Sequence, residues 1–115
     1  MAEAKQFEQR TVSIPATIAN GEAASSAIDM HGTRGVGIVF PAAMTGTGVT
    51  ISGSMDGTNF YTLHTGSADY AVAKQNSKCV KLDADMMKAA GRYIKLTSSG
   101  NEGAERAFTI IAVPV

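Results

Sequence analysis

The chain reads as all-β: an antiparallel β-sandwich or jelly roll of about eight strands, with one short helical turn near 84–90. Three observations say so. Apolar residues recur with period two in short runs, the pattern of strands with one buried face. Clusters of Gly, Ser, Thr and Asn separate those runs roughly every ten residues. Only "DADMMKAAG", 83–91, carries a helical signal.

Taken in order, residues 1–10 are polar with one aromatic, Phe7, and are expected to form a loose arm. Residues 11–115 make the single sandwich domain. "TVSIPATI", 11–18, sets Val12, Ile14, Ala16 and Ile18 against Thr11, Ser13, Pro15 and Thr17. Pro15 cannot donate to a ladder, which predicts an edge or bulged strand. "SAIDM", 26–30, is a short second strand. "GVGIVF", 35–40, follows, with Gly37 as a candidate bulge. "VTISGSM", 49–55, and "NFYTLH", 59–64, flank Asp56-Gly57, a pair suited to a tight hairpin turn. Asp56 and Gly57 are therefore assigned to the turn rather than to a ligand.

"YAVA" and "CVKL" are brief strands, and Cys79 in the latter is expected to be a small buried hydrophobe. Asp83 or Asp85 caps the helical turn and Gly91 ends it. "RYIKLT", 92–97, points Ile94 and Leu96 inward and Tyr93 and Lys95 outward. The last strand, "RAFTIIAV", 106–113, is apolar on both faces, with Ile111 and Val113 on the second. That predicts burial on both sides, by an N-terminal arm or, preferentially, a neighbouring subunit. The arm around Phe7 and Arg10, with Ile111 and Val113, forms the expected contact set.

Composition narrows the function. The chain has 115 residues, 44% of them hydrophobic, and formal net charge zero. A general nucleic-acid binder is usually basic, so no direct nucleic-acid partner is expected. The charge is uneven: residues 71–95 hold six bases against two acids, whereas 20–70 are acidic. Solvated strand faces or complementary docking patches both fit. One cysteine excludes an intrachain disulfide. The N-terminus has no apolar signal core, and no run approaches the ~20 residues of a membrane span. Synthesis in a cytoplasm, without membrane association, is the expectation.

No catalytic set emerges, and an enzyme is not expected. His31 and His64 fit no metal spacing, and Asp83-Ala-Asp85 lacks the glycine and bidentate Glu of a calcium loop. No nucleophile elbow, P-loop or cofactor motif is present, so no cofactor or metal is called. For sugar binding the chain offers seven aromatic rings and no Trp. Most rings are needed for the core, leaving Tyr93 and either Phe60 or Tyr61 for an exposed platform.

Two resemblances sharpen this. Ser54, Asp56, Gly57 and Phe60 of "SMDGTNF", then Arg92, Tyr93, Ile94, Lys95 and Leu96 of "RYIKL", resemble paired motifs of discoidin-like galactose-binding jelly rolls. The aromatic-rich binding loops of that family are absent here. Across residues 16–113, "ATIANGEAASSAID", "GIVFPAAMTGTGVTI" and the Asp-Gly hairpin resemble small bacteriophage head decoration, or cement, proteins. That resemblance implies a structural virion protein made in the host cytoplasm. It would sit on the capsid exterior as a homotrimer and stabilise contacts between major capsid protein subunits. The alternative is a carbohydrate- or receptor-binding module of a phage tail or neck component.

Overall fold

The computed structural model describes residues 11–115. The expected arm 1–10, with Phe7 and Arg10, lies outside the described residues.

Among the described residues nine strands form two antiparallel sheets, with one helix between them in the chain. The first sheet has the order β1 (Val12–Ile18), β9 (Arg106–Pro114), β3 (Thr33–Val39), β7 (Cys79–Lys81). The second runs β2 (Ile28–Asp29), β8 (Tyr93–Ser98), β4 (Gly48–Ser54). The far edge of β4 is shared end to end by β5 (Tyr61–Thr62) and β6 (Ala71–Ala73). The sequence-predicted sandwich is thus observed, including the short helix α1 (Ala84–Ala89).

Local chemistry explains the layout. β1 is an edge strand, so the missing N–H of Pro15 leaves no interior ladder bond unmade. The β3–β9 register shifts between Gly35 and Gly37, a bulge in the predicted glycine segment. Asp83 caps helix α1, its side chain accepting from Met86 N at 3.0 Å, and Gly91 follows the helix at φ +87°.

The inward residues form one core. Ile38, Ile51, Ile94, Leu96 and Ile110 are completely buried, and Phe40 meets Phe108 edge to face at 5.6 Å. Helix α1 closes one end of this core. A methyl group added at Gly53 would lie 2.0 Å from the carbonyl oxygen of Ala90, so β4 and the helix end meet backbone to backbone. On the other side, Met87 packs over Gly35 of β3.

The opposite end is tied by Glu102, 1% exposed. Its carboxylate accepts from Thr45 N (2.7 Å), Gly46 N (2.9 Å), Ser98 Oγ (2.6 Å) and Arg106 Nε (2.9 Å). Its main chain bonds Gly21 and Glu22. One residue therefore joins the loops before β2, before β4 and before β9. Burial works to raise its pKa, but these four donors prevail and hold it down at about 2.

One expectation changes. Cys79 is exposed rather than buried. It sits on edge strand β7 and shares the outward face with Lys81, while Val80 and Leu82 turn inward. The cover expected over the second face of the last strand, the arm or a neighbouring subunit, lies outside the described residues. Phe108, Ile110 and Ala112 are buried and Val113 is 9% exposed, but Ile111 is only half-buried on the outer face. Ile111 is paired with Ser13, which offers only a hydroxymethyl group, and with Gly37, which has no side chain, so its flanks stay partly uncovered.

Candidate functional site

Helix α1 and the Asp56–Gly57 turn face each other across a groove of about 370 Å³. Its lining comes from the end of β4, the turn that follows, β5 and one flank of the helix. The Gly53–Ala90 backbone contact sets the floor, because it brings the helix onto the last residues of β4.

The turn beside it is rigid. Asp56 Oδ1 accepts from Thr58 N (2.8 Å), Asn59 N (2.9 Å) and Ser54 Oγ (2.9 Å), while Oδ2 accepts from Asn59 Nδ2 (2.9 Å). These donors, Asn59 N foremost, hold the Asp56 carboxyl far below the usual carboxylate range. Gly57 sits at φ +78°, and Tyr93 lies against it. Asp56 is thus a turn anchor, with one face of Oδ2 left for an outside donor.

Two large apolar side chains stand out from the groove: Tyr61, 72% exposed, and Met55, 82% exposed. Around them are hydrogen-bonding groups: Asn59, Thr62, His64 and Asp56 Oδ2. His64 Nδ1 accepts from Gly66 N at 2.9 Å, which leaves Nε2 as the ring nitrogen open to a ligand. Of the aromatic residues singled out for a possible platform, Tyr61 is the exposed one. Tyr93 is half-buried, with the Arg92 guanidinium 5.2 Å from its ring centre. Phe60 is half-buried under Lys95 Nζ, 4.5 Å away.

The remaining sequence-predicted residues lie elsewhere. Ile111 and Val113 belong to the outer face of the first sheet, away from the groove. His31 stands next to the Asp29–Arg92 ion pair, its Nδ1 3.4 Å from Arg92 Nη2. Among the described residues no cluster of three or more His, Cys, Asp or Glu side chains is placed to hold a metal. No described helix is long and apolar enough to cross a membrane. Met86, Ala89 and Ala90 of the groove were not singled out from sequence, and neither was Glu102. Their neighbours are far away in the chain.

No family model matches the chain, and no curated protein matches it. Among solved structures it is similar to CBM32-1 from a family 31 glycoside hydrolase from Clostridium perfringens. The two share 14% identity over 90% of this chain and 76% of that one, with a TM-score of 0.44. Similarity this remote carries no argument about ligand, and none of these findings supports the virion resemblance.

Proposed function

We propose that this chain is a saccharide-binding module and that the groove between helix α1 and the Asp56–Gly57 turn is its binding site. The observation that carries this reading is Tyr61, 72% exposed at the wall of a preformed groove. A pyranose has an apolar C–H face and a rim of hydroxyls. An exposed aromatic ring fits the first, and amide, imidazole and carboxylate groups fit the second. The rigid turn fixes Asn59 and Asp56 before any ligand arrives, so little ordering cost falls on binding.

Asp56 is suited to accepting hydrogen bonds from a ligand, not to donating a proton. A general acid needs a carboxyl that keeps its proton near the working pH. Asp56 is pushed the other way by its four donors. Binding to a glycan array tests the reading: retention of one saccharide class, lost in Tyr61→Ala with the fold intact, supports it. A null across the array removes it.

A second reading has its own observation. The outer face of the first sheet carries Ser13, Pro15, Thr109 and Ile111 side by side through its centre, none of them fully buried. Such a face suits packing against a protein lattice, including the expected homotrimer on a major capsid protein. Ile111→Glu then abolishes co-sedimentation with capsids and spares saccharide binding. Tyr61→Ala does the reverse if the groove is the site.

A further inference from the structure

On the other flank of helix α1 lies a second hollow of about 410 Å³, and we infer that it is a binding site for a small oxyanion: a sulfate, phosphate or carboxylate group. Three cationic side chains line it: Arg34 from β3, Lys88 from the last turn of the helix, and Arg92 before β8. They are far apart in sequence and converge only because the helix is seated between the two sheets.

Their charges are only partly balanced from within: Asp29 holds Arg92, and Val115 lines the same hollow without an ion pair to any of the three. Among the described residues the ion pairs are Asp29–Arg92, at 3.0 Å, and Glu102–Arg106, at 2.9 Å. Arg34 and Lys88 have no carboxylate partner there. Asp29 occupies Arg92 through two bonds of 3.0 Å, leaving the remainder of that guanidinium to the hollow.

Arg34 supplies the decisive detail. Its Nε is buried and has no hydrogen-bond partner among the described residues. Buried donors are nearly always satisfied, and an orphan on a charged group is costly enough to call for an unseen water or ion. A guanidinium presents its N–H groups as a rigid fork that matches two oxygens of an oxyanion. Lys88 adds a mobile point charge at the rim. The hollow exceeds what one water needs and suits a compact anionic group.

This site is independent of the groove, and its test separates the two. Inorganic sulfate and inorganic phosphate are titrated into the full chain, with chloride at matched ionic strength as control. Side-chain Nε–Hε signals of the arginines are followed by NMR. A saturable shift of the Arg34 signal is expected, with Kd weakened at least about tenfold in Arg34→Gln, the size of one charge-assisted hydrogen bond. Lys88→Gln weakens it less, and Tyr61→Ala leaves it unchanged. Parallel titrations with a sulfated, a phosphorylated and a uronic-acid saccharide identify the natural source of the group. Should Arg34 respond to sulfate and phosphate no more than to chloride, its orphan Nε is met by water alone and the inference is overturned. Arg34→Lys, which keeps charge but loses the fork, guards against a folding artefact: it must fold and still bind more weakly than the parent.

Discussion

Replacing Glu102 tests the end of the sandwich that sequence reading overlooked. In Glu102→Ala, Thr45 N, Gly46 N, Ser98 Oγ and the Arg106 guanidinium lose their common acceptor. Arg106 is itself mostly covered, its side chain 19% exposed. Removing one member of a buried ion pair costs about 3–5 kcal/mol, because the other charge stays behind. Loop relaxation that admits water places the expected loss near the lower figure, about 3 kcal/mol, which is a large share of a typical domain's stability. Glu102→Gln keeps the shape but turns an amide N–H₂ toward donors, and about 2 kcal/mol is expected. Urea unfolding at neutral pH reads both. Folding also lowers the Glu102 pKa from 4.5 to about 2, so its stabilisation is complete above 4.5 and drains away as the pH falls toward 2. Glu102→Gln removes that component, and its acid slope should be shallower by up to about 1.4 kcal/mol per pH unit. A Gln variant within about 0.5 kcal/mol of the parent, with an unchanged acid slope, would refute the assignment of Glu102 as the tie.

Other outcomes follow from single contacts. Gly53→Ala drives a methyl group to within 2.0 Å of the Ala90 carbonyl oxygen, so it should cost about 3 kcal/mol and lower the urea midpoint with little change in slope. Gly57→Val places a β-branched residue at φ +78° and should lower Tm by an amount worth about 1–3 kcal/mol. Asp56→Asn retains an acceptor at Oδ1 for its three donors but turns an N–H₂ toward Asn59 Nδ2, and at this exposed turn it should cost about 1 kcal/mol by the same assay. Loss of saccharide binding in that variant, with the fold preserved, would instead make Oδ2 a ligand contact.

The alternation of apolar residues was enough to read the two sheets, because each strand buries one face and the pattern is local. Where the chain's own side chains compete with the ladder, the reading slipped. The strand expected over 59–64 shrinks to Tyr61–Thr62, because Asp56 takes the N–H groups of Thr58 and Asn59 into the turn. Cys79 was assigned by residue type, although the alternation of Val80 and Leu82 already set it on the outer face beside Lys81. Ile111 shows a different limit: its partial exposure depends on small partners across two ladders, Ser13 and Gly37, that only the register reveals.

The sites were less legible than the fold. Glu102 reads as one more acid in a polar loop, and its acceptor role rests on Thr45, 57 positions away. The four-residue spacing to Arg106 was the one local sign of it. The groove exists because Gly53 admits Ala90, and nothing in either segment alone announces that contact. The basic excess of 71–95 was visible as composition, but the convergence of Lys88 and Arg92 with Arg34 needs the helix to be seated between the sheets.

The most direct test of the central claim is saccharide binding by the full chain, read by calorimetry on the best array ligand, for the parent and Tyr61→Ala. A saturable isotherm is expected for the parent, with a loss of about 1–2 kcal/mol, roughly tenfold in Kd, when the ring is removed. Equal affinity in the two proteins, both folded, would contradict the groove as the binding site.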